Sequence, residues 1–353
     1  MKKTIEEYNI LKFIAIIFVV LSHSTYYKIT SNYGGINYQN LINNNFSLLL
    51  YKGFDKIREV LYYFHMPMFM ALSGSFYYIQ VKNNKWIGVN ILLKNKIKRL
   101  LLPFIIFSVL YTLPLKYLSN YFIDISFIKA FIGQVFLLGN SHLWYLYALF
   151  VIFLMSYYIL KMEANIFTYL IIYIIHLISF LIKFTLISAP LQFLVWFSLG
   201  FLFESKRVEW NKKLLNYKSI TFLIGILFII LVLIYNYIKG DFKLISKFLL
   251  DIIAVTGSIA VYNIAYLLSK YSKLEDYRFY KLVVVNGLGI YIFSDTLNYF
   301  ILYIIYTISG DFMISSVGIV SLVIVRFIVT LLGGLLLTLI FKKIFRDYSW
   351  LVN

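Results

Sequence analysis

The chain has 353 residues, of which 61% are hydrophobic and only 14% are charged. A soluble domain of this length could not hide so many apolar side chains in one core, so the composition excludes an ordinary soluble protein. There is no cysteine, which excludes disulfides, thiolate metal sites and a cysteine nucleophile. The net charge of +18 could indicate a nucleic-acid partner, but the basic residues cluster between apolar runs, and membrane topology explains that pattern better. We therefore expect no nucleic-acid partner, and we predict no metal site.

Ten apolar runs predict an all-α, polytopic membrane protein of about ten transmembrane helices, because lone strands cannot satisfy their backbone hydrogen bonds in lipid. The predicted spans are 9–27, 59–81, 100–122, 143–160, 165–184, 188–205, 218–238, 244–269, 282–307 and 312–341. Lys12 interrupts the first run and no small-residue cleavage site follows, so we expect a retained helix rather than a signal peptide. We expect residues 1–353 to form a single transmembrane domain with no fused extracytoplasmic domain.

The basic residues predict the orientation. With the N-terminus in the cytoplasm, 22 of the 33 Lys and Arg residues, Lys2, Lys3 and Lys12 among them, fall on the inner side. Ten fall outside, and Arg326 alone lies within a span. The positive-inside rule therefore favours N-in and C-in. In the loops, the second half of 28–58 could form an interfacial helix, and 86–99 could lie on the cytoplasmic surface.

The first span, within IEEYNILKFIAIIFVVLSHSTYY, carries Lys12 and His23. Eleven residues of helix make three turns plus about 20°, so the two side chains share one face, about 16 Å apart along the axis. N-in topology places Lys12 at the cytoplasmic end and His23 in the outer half of the bilayer. The spacing alone is also compatible with a snorkelling lysine and a core histidine bonded to a neighbouring helix.

Two further segments carry polar groups toward the same side. FHMPMFMALSG places His65 in the outer half of span two, and its Ser73–Gly74 pair allows close helix packing. SHLWYLYALF places His142 and Trp144 at the outer interface, where Trp144 could stack on a sugar ring. Three of the four histidines are therefore expected to converge near one face, whereas His176 is isolated and is interpreted as structural.

These segments together resemble acyltransferase family 3, the ten-helix bacterial membrane enzymes that O-acylate polysaccharides, and its fucose 4-O-acetylase-like branch in particular. The resemblance rests on YNILKFIAIIFVVLSH, FHMPMFMALSG, the basic cluster before LLLP, HLWYL and NGLGIYIF, in that order, and covers essentially the whole chain. The family's first helix carries an arginine, ten residues and a histidine, and Lys12 and His23 occupy those places. Many members also have a histidine after IYLL in span nine, where this chain has Ser294 and Asp295.

The resemblance implies an O-acyltransferase, most simply an O-acetyltransferase, of the bacterial cytoplasmic membrane. It would move an acyl group from acyl-CoA (acetyl-CoA), used as a co-substrate with no permanently bound cofactor, to a hydroxyl of a cell-surface polysaccharide or its lipid-linked precursor. Its partners would be these substrates, membrane lipids and, where transfer is handed on, a separate acyltransferase. His23 is the candidate general base or transient acyl carrier. The candidate donor-binding residues are Lys12, Lys96, Lys98 and Arg99, and the candidate acceptor-side or supporting residues are His65, His142, Trp144, Asp295 and Arg326.

The last two spans carry opposite charges. Asp295 lies 15 residues before Gly310 and Arg326 lies 16 residues after it, so a hairpin near Gly310 would bring both to similar depth. An unpaired charge there is costly, and an ion pair is the expected arrangement. Alternatively, Arg326 orients a substrate oxygen in a wet cavity, and Asp251 is a rival partner for it.

Two other functions remain open from the sequence. A flippase or exporter of polyprenol-linked sugars would share the many spans and basic loops. A glycan polymerase would need large outer loops carrying arginines, and the outer loops here are mostly short.

Overall fold

A computed structural model describes residues 5–162, 164–240 and 243–353. The helices are α1 (Glu6–Thr25), α2 (Asn45–Lys82), α3 (Val89–Lys96), α4 (Leu102–Phe107), α5 (Leu113–Leu118), α6 (Phe127–Val135), α7 (Trp144–Ile159), α8 (Ile166–Ser179), α9 (Thr185–Asn216), α10 (Ser219–Ile238), α11 (Lys243–Tyr271), α12 (Arg278–Val285), α13 (Gly287–Ile314) and α14 (Ser316–Ile344). Two short strands, β1 (Lys28–Ser31) and β2 (Gly34–Asn37), pair antiparallel.

The predicted all-α polytopic membrane fold is confirmed. Within the described ranges, seven stretches of helix are long and apolar enough to cross a membrane, and the apolar helices α7 and α8 are shorter. Each of the ten predicted spans overlaps helix, although the ninth is divided at Asn286 between α12 and α13 and the tenth begins in the last turn of α13. The count of ten membrane crossings and the N-in, C-in orientation stay predictions. Of the charges used for orientation, Lys2, Lys3 and the side chain of Lys243 lie outside the described residues.

The segment that leads into the second span differs from the prediction. Residues 45–58 form no separate interfacial helix but are the beginning of α2, which runs without interruption from Asn45 to Lys82. The Asn44 side chain caps this helix by accepting from the backbone N–H groups of Phe46 and Ser47, which fixes its beginning well before the apolar run. The preceding residues form the β1–β2 hairpin, whose turn uses Gly34 with φ of +121°, a conformation that favours glycine.

The third span begins within the predicted surface loop 86–99. Helices α3, α4 and α5 form one continuous rod from Val89 to Leu118, joined by π-helical turns at Ile97–Leu101 and Ser108–Thr112. Pro103 and Pro114 follow these turns by two residues. Because proline has no backbone N–H and its ring displaces the preceding turn, a local π-turn lets the helix continue past each proline.

The close packing predicted at Ser73–Gly74 is confirmed. A Cβ on Gly74 would lie 1.9 Å from the carbonyl oxygen of Phe197, and one on Gly200 would lie 1.8 Å from that of Ala71. The backbones of α2 and α9 therefore touch where they cross, which only glycine permits at these two positions.

The turn of the last hairpin lies at Ser315 and not near Gly310. Helix α13 is kinked at Ser309 and continues past Gly310 to Ile314. Ser315 then caps α14, since its hydroxyl accepts from the N–H of Gly318 at 3.0 Å. This displacement changes which residues of the two helices lie opposite each other.

Helix α1 lies inside the bundle, packed against α2, α11, α13 and α14. We call the end of the bundle where α1 begins the Lys12 end and the end where it stops, at Thr25, the His23 end. The β1–β2 hairpin follows α1 directly and packs over the His23 end, where the N–H of Gly35 donates to the carbonyl of Tyr121 at 2.8 Å. The polar residues that carry the chemistry lie between these two ends.

Candidate active site

Arg326 holds the last turn of α1. Its guanidinium donates to the carbonyl oxygens of Tyr26 at 3.0 Å and His23 at 3.3 Å, and to the side-chain oxygen of Asn298 at 3.3 Å. Its side chain is fully buried. The last carbonyls of a helix have no partner within the helix, so a buried cation at this position both satisfies them and complements the helix dipole. The backbone that carries His23 is thereby fixed.

Asp295 is the centre of the polar cluster at this end of α1. Its Oδ1 lies 2.5 Å from Nδ1 of His23 and accepts from the Tyr26 hydroxyl at 2.8 Å. Its Oδ2 lies 3.2 Å from Nδ1 of His142. Carboxylate contacts of this kind hold an imidazole in one orientation and one tautomer. Because Nδ1 of His23 faces Asp295, Nε2 is the nitrogen left to meet a substrate.

His142 is held at both of its ring nitrogens. Nε2 lies 3.0 Å from the carbonyl oxygen of Ile292, and Nδ1 faces Asp295. A carbonyl oxygen only accepts, so Nε2 carries the proton of a neutral ring, and a second proton on Nδ1 would be shared with the carboxylate. The Tyr291 hydroxyl also donates to the His142 carbonyl. The carboxylate therefore lies between two imidazoles, a grouping that can accept and return a proton.

The third predicted histidine lies one aromatic ring away. His65 is buried, and its Nδ1 lies 2.6 Å from the carbonyl oxygen of Leu61. Tyr62 lies between His65 and His23, with ring centroids 4.8 and 6.2 Å from theirs. The structure thus brings His23, His65 and His142 to one end of the bundle, although only His23 and His142 contact Asp295.

A cavity of about 230 Å³ runs along α1 from the Lys12 end toward these histidines. Lys12, Ile16 and Val19 line it on α1, and Tyr145 and Tyr291 line its far part. Within the described part of the chain, the Lys12 ammonium has no hydrogen-bond or ion-pair partner. An unpaired cation at one end and an otherwise largely apolar wall suit a ligand with an anionic end and an extended arm.

The NGLG segment shapes the Lys12 end of this cavity. A Cβ on Gly287 would lie 2.4 Å from Cδ1 of Ile16 and 2.9 Å from Cε of Lys12, so glycine makes room for the lysine stem. The neighbouring Asn286 accepts from the Lys342 ammonium at 2.8 Å. Lys342 is one of the 22 Lys and Arg residues that the predicted orientation places on the inner side, and its position beside the cavity depends on how α13 and α14 pack.

The other predicted donor-binding residues are placed differently from one another. Lys98 and Arg99 are exposed, and Lys98 lies over the ring of Trp350 at 4.8 Å. Lys96 instead is buried, with its ammonium 3.2 Å from the centroid of the Phe153 ring. It is turned into the bundle, where cation–π attraction replaces water, rather than toward a ligand at the surface.

The predicted ion pair between Asp295 and Arg326 is wrong, because each of the two residues has other partners. Arg326 donates to Asn298, about one helical turn beyond Asp295, while Asp295 pairs with the two histidines. Three hydrogen bonds of the buried guanidinium go to protein oxygens, and a role for Arg326 in orienting a substrate oxygen stays a prediction. Asp251 is not its partner either, because Asp251 lies 3.2 Å from Nε2 of His176.

His176 and Trp144 lie outside the Asp295 cluster. His176 is buried, with Nδ1 2.7 Å from the carbonyl oxygen of Gln192, in agreement with a structural role. Trp144 is half-buried, and its ring centroid lies 4.8 Å from that of Phe193.

Sequence reasoning missed Tyr26 and Asn298 as parts of this site. The only available signal was their position, Tyr26 directly after the apolar run of α1 and Asn298 three residues after Asp295.

A family model described as an acyltransferase domain matches residues 5–342, nearly the whole chain. The chain belongs to acyltransferase family 3. It is therefore a multi-pass membrane acyltransferase. Of the two residues of the first-helix motif, Lys12 lines the α1 cavity and His23 lies beyond its far end. No curated protein and no solved structure shows significant similarity to the chain. The fucose 4-O-acetylase-like branch within acyltransferase family 3 stays a prediction.

Proposed function

We propose that this acyltransferase moves an acyl group, most simply acetyl, from acyl-CoA to a hydroxyl of a cell-surface polysaccharide or its lipid-linked precursor in the bacterial cytoplasmic membrane. The observation that carries the proposal is the 2.5 Å contact between His23 Nδ1 and Asp295 Oδ1, placed beyond the far end of a cavity that begins at an unpaired lysine. A histidine oriented by a buried carboxylate is the usual arrangement of a general base that activates a hydroxyl.

The donor would enter from the Lys12 end. With the predicted orientation this is the cytoplasmic end, where CoA is found. Lys12, with Lys342 beside it, would meet the phosphates of CoA, and Lys98 and Arg99 would attract them from the surface. The pantetheine arm would follow the Ile16 and Val19 face of α1 and bring the thioester toward His23.

The chemical step needs one base that later returns its proton. Nε2 of His23 takes the proton of the acceptor hydroxyl as its oxygen attacks the thioester carbonyl carbon. The C–O bond forms, the C–S bond breaks, and the leaving thiolate receives the proton from His23. Asp295 stabilises the imidazolium that exists between these transfers, and Arg326 fixes the helix end that carries it. Atoms and charge balance without another reactant.

Surface glycan from cells that carry the gene, lack it, or carry His23→Ala tests this proposal. NMR of the purified polysaccharide is expected to show ester signals only with the wild-type gene. Tyr27→Phe is the matched control, because the Tyr27 hydroxyl donates to the Met313 carbonyl at 3.3 Å and not to Asp295. It should keep the esters.

Normal ester content in cells with His23→Ala, at membrane levels equal to wild type, would contradict the proposed role of His23. Transport is tested separately with purified protein in liposomes and radiolabelled acetyl-CoA. Movement of a polyprenol-linked sugar across the bilayer with no label entering an ester would favour the flippase instead.

A further inference from the structure

A second cavity, of about 300 Å³ and more polar than the first, lies at the His23 end, outside the Asp295 cluster. Its walls come from the segment 137–144 and from the first turns of α9. The Asn140 side chain, which is part of this wall, donates to the Thr30 carbonyl of β1 at 3.2 Å. The Asn140 carbonyl accepts from the buried Lys116 ammonium at 2.6 Å. The cavity is therefore built into the same end of the bundle as the end of α1, and its wall is anchored on two sides.

The cavity combines two aromatic rings with polar groups that have no hydrogen-bond partner among the described residues. Trp144 and Phe193 lie together, with ring centroids 4.8 Å apart at an interplanar angle of 47°. The hydroxyl of Thr185, the side-chain amide of Gln192 and the indole N–H of Trp144 make no hydrogen bond to any other described residue. Free donors and acceptors beside an aromatic surface match a ligand that is apolar on one face and rich in hydroxyls at its edges.

The cavity is coupled to the proposed chemistry through a short piece of chain. Ser141 lines it, and the next residue, His142, contacts Asp295 on the other side. The Ser141 hydroxyl accepts from Gln134 at 2.6 Å, which holds this connection in place. The wall of the cavity and the Asp295 cluster are therefore connected through two consecutive residues, Ser141 and His142.

We propose that this cavity binds a non-reacting sugar ring of the acceptor, next to the ring whose hydroxyl is acylated. A volume near 300 Å³ is at the small end of the range for small-molecule sites and suits one ring rather than a longer chain. The ring would stack on Trp144, and Gln192 and Thr185 would read its hydroxyls. This subsite rests on the proposed function, which supplies the reason that a glycan is present. Sugar binding to the subsite can nevertheless be measured without acyl transfer.

Saturation-transfer NMR of the full chain in lipid nanodiscs tests the subsite, with N-acetylglucosamine, L-fucose and D-galactose as probes. At least one probe is expected to give a signal with wild type that falls at least fivefold with Trp144→Ala and with Gln192→Ala. Trp144→Phe, which keeps a ring but loses the N–H, should give an intermediate signal. Trp350→Ala is the matched control, because it removes a tryptophan that lies beside Lys98 and not in this cavity. It should give the wild-type signal.

His23→Ala separates the two proposals, because it should keep the sugar signal while it abolishes transfer. The subsite is overturned when no probe gives a signal above the Trp144→Ala level, or when the signal survives both Trp144→Ala and Gln192→Ala. Thermal unfolding of each variant in the same nanodiscs identifies loss of fold, and in that case the comparison rests on Trp144→Phe and Gln192→Glu. Ester formation that persists in His23→Ala contradicts the proposed function and leaves the binding result unchanged.

Discussion

Arg326 donates to the main-chain carbonyl of His23, not to the carboxylate that the sequence pairs it with. Arg326, the most deeply buried cation of the last helix, thus contacts the backbone at the end of the first helix, while Asp295 contacts the side chain of His23. Two residues from neighbouring helices therefore position His23. Arg326 contacts the main-chain carbonyl of His23, and Asp295 contacts the imidazole ring of His23.

Arg326→Lys is expected to reduce both stability and acyl transfer. Lysine keeps the charge but cannot reach the carbonyls of Tyr26 and His23 and the amide of Asn298 from one planar group. Loss of one such bond to a charged donor costs about 1.5–3 kcal/mol. Thermal unfolding in detergent and the rate of label transfer from acetyl-CoA measure the two effects. A wild-type melting temperature together with a wild-type rate would show that the hydrogen bonds of the planar guanidinium are not needed.

Asp295→Asn is expected to lower the rate of transfer by roughly 100- to 10,000-fold, with membrane level and melting temperature close to wild type. The amide keeps the shape of the side chain but no longer stabilises an imidazolium at His23 or selects its tautomer. Single-turnover transfer of labelled acetyl measures the chemical step, and Tyr27→Phe is again the control. A loss of less than threefold would mean that His23 works without the carboxylate.

Lys12→Ala is expected to raise the KM for acetyl-CoA about tenfold, the equivalent of about 1.4 kcal/mol of binding. Lys12→Arg should restore binding, because a guanidinium can contact a phosphate with two parallel hydrogen bonds. Lys28→Ala removes an exposed lysine of β1 at the opposite end and should leave KM unchanged. Equal KM values for Lys12→Ala and Lys28→Ala would place the donor elsewhere.

Gly287→Ala is expected to crowd the Lys12 end of the cavity and to raise the KM for acetyl-CoA. Its Cβ would meet the ends of Ile16 and Lys12, which must move, at a cost of about 1–3 kcal/mol. Gly225→Ala in α10 is the matched control, since no atom lies within 4 Å of its added Cβ. It should stabilise the helix by about 0.5–1 kcal/mol and leave KM unchanged. A wild-type KM for Gly287→Ala would show that the space is not used by the donor.

The positions of single residues along one helix were within reach of the sequence. Lys12 and His23 do lie on one helix, because both are contained in α1, and Lys12, Ile16 and Val19 do share a face, because all three line one cavity. These relationships follow from the 3.6-residue period and need no knowledge of neighbouring helices. The residues at which helices begin were harder to predict from the sequence. The Asn44 cap and the prolines of the third span act locally, and a hydropathy pattern does not show their effect.

The partners of the buried polar groups could not be derived in this way. The last turn lies at Ser315 rather than near Gly310, and Arg326 donates to Asn298 instead of pairing with Asp295. Likewise, the pairing of Asp295 with His23 and His142 joins three helices or loops that are far apart in the chain. Such contacts depend on helix rotation and on turns placed to within one residue.

By itself the sequence determined a polytopic helical membrane protein, the first-helix motif of Lys12 and His23 and the small residues that let helices touch. These are consequences of hydrophobicity and helical period, which act along the chain. Only the tertiary structure decided that Asp295 orients His23, that Arg326 holds the end of α1, that Lys96 points inward and that a second cavity lies beside Trp144. Those contacts join helices distant in sequence, and their geometry is set by packing that no local pattern encodes.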